Sequence, residues 1–169
     1  MSIDDRPSVV DDKSRIGDWE IDTVIGKGHS GALVTIVERV TNFTVSAQVN
    51  SKSAADVTHA TIELLRPFKD VVHTITADNG KEFSYHEKIS AALCAEVYFA
   101  HPYSSWERGL NENTNGLLRQ YFPKDTDLKK VTHSEVRRAV NRLNSRPRKG
   151  LDFKTPGRLM SDHRAALAA

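Results

Sequence analysis

Asp78 closes the apolar run Val71 to Ala77 and is followed at once by the turn pair Asn79-Gly80. A carboxylate at the mouth of a buried strand is costly unless something pairs with it. Two other acids are placed to share its site: Asp22, which ends the alternating stretch D-W-E-I-D, and Glu112, within N-E-N-T-N. Three carboxylates on separate elements suit a hard divalent cation, because magnesium takes oxygen ligands and keeps waters and substrate phosphates in its remaining positions. Two such ions about 4 Å apart clamp the attacking and leaving oxygens of an in-line phosphoryl displacement. The chemistry on offer is therefore cutting or joining phosphodiesters. Each acid also has an ordinary use: Asp22 as a turn cap, Asp78 as an Asx-turn residue, Glu112 as a surface helix acid.

The elements that carry these residues follow from periodicity. Residues 1–14 are polar and acid-rich, lack any period, and read as a flexible leader before a single domain over 15–169. Asp18, Glu20 and Asp22 alternate with Trp19, Ile21 and Thr23, the period of a strand continued through Ile25. Three acids on one strand face require solvent, a basic partner or a metal. The glycines of G-K-G-H-S-G (26–31) match a dinucleotide-binding fingerprint, but a helix must follow that motif and β-branched Ala32 to Val40 follows here, so a hairpin turn accounts for them better. Phe43 to Val49 returns as a third antiparallel strand. Ser53 caps a helix ended by Pro67; Val71 to Ala77 is the fourth strand; Ser84 to Glu87 reads as a capping box opening the next helix; Val97 to Phe99 is the fifth strand. His101 to Gly109 is a loop containing Tyr103 and Trp106, aromatic residues suited to stacking on an unpaired base, with packing under the loop the plainer use of Trp106. A helix from about Leu110 to Tyr121 presents Glu112, Asn115 and Arg119 on one face. Thr132 to Glu135 caps a last helix, and Arg146 to Arg158 is a basic tail that Pro147 and Pro156 keep from forming a long helix.

Composition narrows the function classes. With 169 residues, 38% hydrophobic and 27% charged, the chain has the makeup of one globular domain, and no apolar run approaches a membrane span. No basic start and apolar block of a signal peptide is present, so a cytoplasmic protein is expected. Cys94 is the single cysteine, which rules out disulfides within the chain and, lying in an apolar helix, reads as packed rather than reactive. The net charge of +2 conceals a basic stretch, Lys129 to Arg158, with ten Lys/Arg and two acids. Such a flank suits a polyanion, or is simply a solvated helix face. Histidine spacing argues against zinc: Ser90 stands where H-E-x-x-H needs its second histidine after His86-Glu87.

Beside these readings stands a resemblance. The segments G-D-W-E-I-D (17–22), T-I-V-E-R-V (35–40), T-A-D-N-G-K-E-F (76–83), H-P-Y-S-S-W-E-R-G-L-N-E-N-T-N-G-L-L-R-Q-Y-F-P (101–123) and N-S-R-P-R-K (144–149) make the chain resemble the catalytic domain of IS30-family transposases, within the DDE transposases and retroviral-type integrases. The thirty-three residues at 79–111, between Asp78 and Glu112, also look like that family's spacing. The resemblance implies an α/β, ribonuclease-H-like fold: a five-stranded mixed sheet, three antiparallel strands then two parallel, flanked by helices. It implies Asp22, Asp78 and Glu112 as catalytic metal ligands for Mg2+ or Mn2+, two ions when DNA is bound; because Asp18 and Glu20 share Asp22's strand face, Glu20 and then Asp18 rank behind it as substitutes. It implies hydrolysis at an element's end followed by 3′-hydroxyl strand transfer, DNA ends and target DNA as partners, and self-association in the active complex, with neither a membrane nor a nucleotide cofactor. Asn115 and Arg119 are candidate contacts to the scissile strand. Arg137, Arg138, Arg142, Arg146, Arg148 and Lys149 are candidates for binding phosphates without reading sequence.

The family's N-terminal helix-turn-helix region has no counterpart before Arg15, so an excised or truncated catalytic domain is expected. Two alternatives follow: a catalytically silent remnant that binds only DNA or other protomers, and a structure-selective nuclease of the same fold.

Overall fold

The computed structural model describes residues 1–169, the side chain of Ser105 excepted. One mixed sheet holds β1 (Asp18–Ile25), β2 (Ala32–Glu38), β3 (Thr44–Val49), β4 (Thr74–Ala77) and β5 (Glu96–Phe99), in the order β3-β2-β1-β4-β5. The first three strands are antiparallel neighbours, whereas β4 runs parallel to both β1 and β5, as the sequence led us to expect. Six helices accompany them: α1 (Ser8–Asp11), α2 (Ala54–Leu65), α3 (His86–Leu93), α4 (Gly109–Leu118), α5 (His133–Asn144) and α6 (Pro156–Leu167).

Apolar side chains fill both faces of the sheet, which is why β2 is buried at every position. Trp19, Ile21, Ile36 and Ile75 join Val57 and Leu65 of α2 and Leu93 of α3 in the larger core. Val24 and Leu33 meet Leu118 of α4 and Val136 and Leu143 of α5 on the opposite face. The two-residue period of β1 thus sends Trp19 and Ile21 to one core, and sends Glu20 and Asp22 toward α4. Parallel pairing sets Glu20 beside Thr76. Continuing each chain by two residues brings Asp22 and Asp78 to the same level, on adjacent elements at the open end of the sheet.

Local chemistry explains most element boundaries. Ser53 accepts the Asp56 amide at the start of α2, and Thr132 with Glu135 forms a full capping box at α5. The box expected at Ser84 to Glu87 does not form: α3 starts at His86 after Tyr85, with no side-chain cap, because residues Lys81–Phe83 first make a 3-10 turn that leaves Ser84 outside the helix. The 26–31 glycine segment is the β1–β2 turn, as expected. Gly31 is required there, since its φ is +72° and a Cβ would stand 2.6 Å from the Lys129 nitrogen.

Three further expectations need correction. Residues 1–14 are not a leader apart from the core. They carry a 3-10 turn and α1, Val10 is buried, Arg6 donates to Thr76 Oγ1 at 2.9 Å, and the Phe99 amide donates to the Met1 carbonyl at 2.9 Å. A single valine and a single arginine make these contacts, too few to show as a period. Pro156 does not end helical structure but begins α6 at its first turn behind a Thr155 cap, where a missing N–H costs nothing. Cys94 is exposed in the left-handed cap of α3 rather than packed.

Candidate active site

The β1 acids separate by their partners. Asp18 accepts two bonds from Arg15, both 2.9 Å, and one from Thr74 Oγ1 at 2.7 Å. Glu20 pairs with Arg39 at 2.6 Å and accepts the Asn111 amide at 3.0 Å. Both are buried, with protein donors on each carboxylate oxygen. Asp22 lies at the open end of the strand with its side chain 22% exposed. Its Oδ1 accepts the Thr23 amide at 2.8 Å, and it alone of the three shares a cation with Asp78.

Asp22 and Asp78 converge on one cation, the guanidinium of Arg108. Its Nη1 is 3.5 Å from Asp22 Oδ2, its Nη2 is 3.3 Å from Asp78 Oδ2, and Nη1 also reaches the Ile21 carbonyl at 3.3 Å. Each aspartate is oriented by a second bond. Asn115 Nδ2 donates to Asp22 Oδ2 at 2.9 Å, while Thr35 Oγ1 donates to Asn115 Oδ1 at 2.8 Å. The Gly80 amide donates to Asp78 Oδ1 at 2.8 Å, the Asx-turn that was Asp78's ordinary reading and which here fixes its rotamer. A Cβ at 80 would fall 2.2 Å from Glu82 Oε2 and 2.8 Å from Asp78 Oδ1, so any larger residue there must displace these carboxylates.

Glu112 is exposed on α4 and, among the described residues, forms no hydrogen bond or ion pair. Helical spacing nevertheless sets it on the stripe Arg108, Glu112, Asn115, Arg119, and both of its neighbours along that stripe touch Asp22. No group of three or more His, Cys, Asp or Glu side chains is gathered to hold a metal among the described residues. The structure brings Asp22 and Asp78 onto one cation and leaves Glu112 outside that cluster, exposed on α4. Two carboxylates already sharing one cation, with a third on the facing helix stripe, form a donor set that fits a hard divalent ion.

Burial pushes the Asp22 carboxyl above the ordinary aspartate range; Arg108 opposes the shift and the neighbouring Asp78 adds to it. The folded state therefore holds the proton to higher pH than the unfolded chain, and stability falls as pH rises through the folded pKa. Asp22→Asn should accordingly melt above native protein near neutral pH. The advantage should vanish below the unfolded aspartate pKa, as thermal melts across the acid range will show.

Asn115 and Arg119, the candidate contacts to the scissile strand, both have partners within the protein: Asn115 bonds Asp22 and Thr35, and Arg119 donates to the Ile25 carbonyl at 2.8 Å and that of Phe122 at 3.4 Å. Two site residues were missed. Arg108 lies four before Glu112, a spacing that would have signalled it had the helix been started one turn earlier. Glu82, which gained no role from the sequence, is buried and takes Thr23 Oγ1 at 3.1 Å and Lys52 Nζ at 2.7 Å, bracing the strand end that carries Asp22. The 101–108 loop rims a cleft of about 430 Å³ next to Asp78. Trp106, 75% exposed, does not pack beneath it, and Tyr103 is fully open. His101 ties the loop to Glu107 and Asp4, which hold its proton to higher pH than an ordinary histidine. On α5, Arg137, Arg138 and Arg142 line a shallow groove with Ser134, Asn141 and Ser145. Arg146 and Lys149 are exposed beyond it, while Arg148 turns half-buried to the Leu143 carbonyl at 3.3 Å.

Residues 12–105 match the model of the integrase core domain, more than half of the chain and including both Asp22 and Asp78. The chain belongs to the integrase core domain family. This integrase core is 50% identical over 156 residues to the transposase of insertion sequence element IS4351 from Bacteroides fragilis, covering 92% of the chain and 48% of that protein. It is 39% identical over 155 residues to the InsI transposase of IS30A from Escherichia coli, covering 91% of the chain and 40% of that protein. The resemblance to IS30-family transposases is borne out, and the chain spans about half the length of these curated relatives. Among solved structures, the catalytic core domain of BIV integrase superposes with a TM-score of 0.70 at 18% identity, over 90% of this integrase core and 98% of that chain. A simian T-cell lymphotropic virus intasome chain gives 0.63 at 16% identity, over 76% and 48%. The fold is thus ribonuclease-H-like, as expected. No helix among the described residues is long and apolar enough to cross a membrane.

Proposed function

We propose that this integrase core is the catalytic domain of a DNA transposase, which hydrolyses a phosphodiester at an element's end and then transfers the freed 3′-hydroxyl to target DNA. The observation that carries the reading is the meeting of Asp22 and Asp78, from adjacent parallel elements, on a single cation at the open end of the sheet. A bound Mg2+ or Mn2+ would supply charge neutralisation and Lewis acidity for the in-line displacement, with two ions in the DNA complex. The chain's own residues do the rest. Asp22 and Asp78 are the two fixed ligands, held in place by Asn115 and the Gly80 amide, and Glu112 is the third, brought in from α4. Water and then the DNA 3′-hydroxyl would attack through the same site, so no covalent bond to the protein is needed.

Arg137, Arg138 and Arg142, with Arg146 and Lys149 beyond them, would hold the phosphate backbone in the α5 groove. Removing three phosphate contacts lowers the slope of log affinity against log salt by nearly three. Arg137→Ala/Arg138→Ala/Arg142→Ala should show that change equally on unrelated DNA sequences, measured by fluorescence anisotropy at several salt concentrations. Self-association around DNA ends, and a location on the bacterial nucleoid while bound, belong to the same proposal.

The test is nicking and end-joining of duplex DNA by the purified domain with Mg2+, Mn2+ or chelator. Metal-dependent nicking supports the proposal. Salt-sensitive binding with no cleavage under any metal condition would instead make the chain a silent remnant, and cleavage confined to branched substrates would make it a structure-selective nuclease.

A further inference from the structure

We infer that Arg108 is the resident counter-cation of the Asp22–Asp78 pair, holding the two carboxylates until a divalent ion displaces it, and that the released guanidinium then binds a phosphate of the DNA substrate. The inference rests on the proposed metal site. It begins from a contrast between arginines. Arg15 and Arg39 meet Asp18 and Glu20 at 2.9 and 2.6 Å, the distances of charge-assisted hydrogen bonds. Arg108 reaches its two aspartates at only 3.5 and 3.3 Å. It is a looser pairing although the side chain is just 12% exposed. Its Nε is buried without a hydrogen-bond partner, so the guanidinium is not fully satisfied where it stands.

Position favours departure. Arg108 precedes the first residue of α4 and ends the 3-10 turn Ser105–Arg108, at the foot of the loop bearing the exposed Tyr103 and Trp106. Its backbone can turn without disturbing the packed part of α4. Gly109 follows, with negative φ and no atom near where a Cβ would stand, so neither crowding nor a left-handed backbone requires a glycine there. What glycine supplies at that junction is freedom to move.

The chemistry explains why a cation must sit there. Two carboxylates brought together repel, and without a counter-charge one of them takes up a proton. A planar guanidinium serves both with separate nitrogens while metal is absent. A divalent ion brings twice the charge and directed bonds, and the displaced Arg108 then lies beside the bound DNA, where its fork matches a phosphate.

The two halves of the inference are tested by Mn2+ titration without DNA, read from the electron paramagnetic resonance signal of free Mn2+, and by DNA affinity with and without Mn2+. Native protein, Arg108→Gln and Arg108→Lys are compared. Losing a competing charge-assisted contact should make Arg108→Gln bind Mn2+ about tenfold more tightly than native. Arg108→Lys, reaching one carboxylate at a time, should gain less. If Arg108→Gln does not fold cooperatively, the lysine variant carries the test. In Mn2+, Arg108→Gln should show a salt slope for DNA binding lower than native by about one; without metal the slopes should coincide. Unchanged or weaker Mn2+ binding in both variants would make Arg108 a permanent brace and overturn the inference while leaving the metal site standing. Equal salt slopes in Mn2+ would overturn the phosphate role. If Mn2+ binds neither native protein nor any variant, the metal site itself falls and the inference falls with it.

Discussion

Glu112→Gln is expected to abolish metal-dependent DNA cleavage while leaving the fold untouched. Losing one of three carboxylate ligands should lower the single-turnover nicking rate on the order of 10³-fold, the scale found when one preorganised electrostatic group is removed from a reaction centre. The physical basis is the isolation of this side chain. Glu112 is exposed and, among the described residues, has no hydrogen-bond or ion-pair partner, so its neutral isostere removes no folded-state contact. The melting temperature should stay within the range of an ordinary surface change, about ±0.5 kcal/mol. A surface glutamate whose loss alters neither stability nor packing, yet stops the reaction, has no role left but in the chemistry. Nicking at an undiminished rate would remove Glu112 from the site.

Arg39→Met should carry the largest stability cost, about 3–5 kcal/mol, because it strands Glu20 as a buried charge. Glu20 is 1% exposed, and burial already pushes its carboxyl above the usual range with Arg39 as the largest opposing influence. Arg39 also donates to the Val10 carbonyl at 3.2 Å, so its loss removes one tie to the N-terminal segment as well. A drop in melting temperature on the order of 10 °C follows for a domain of this length. Because the raised carboxyl gives up its charge first on acidification, the deficit should shrink as pH falls through the Glu20 pKa. The double variant Glu20→Met/Arg39→Met, which leaves no unpaired charge, should melt above the single one. A single variant as stable as native would show that the pair does not hold the strand.

How far the sequence carried this account depends on the residue. The β1 alternation disclosed both the strand and its acidic face, since period two is a direct consequence of the pleat. It could not say which acid was left for chemistry. That depended on Arg15 and Arg39, and Arg39 reaches Glu20 only once β2 folds back on β1. Asp78 was legible from its turn. Its neighbour Glu82 was not, because its partners Thr23 and Lys52 come from distant stretches of chain. Arg108 was hidden for a local reason: Pro102, the serines and Gly109 read as a loop, and a loop has no period from which to infer that Arg108, which closes a 3-10 turn just before α4, faces Asp22. Asn115 was placed on the right helix face, next to exposed Glu112, but its own side chain turns to Asp22. The N-terminal segment and α6 were missed through brevity and through Pro156, whose breaking effect inside a helix becomes favourable at its first turn.

Whether Asp22, Asp78 and Glu112 form one divalent-metal site can be read from anomalous diffraction by a crystal soaked in Mn2+. An ion is expected with carboxylate oxygens of both Asp22 and Asp78 at roughly 2.1 Å and the Arg108 guanidinium withdrawn from between them. Mn2+ bound elsewhere in the crystal, with Arg108 still bridging an unliganded pair, would contradict it.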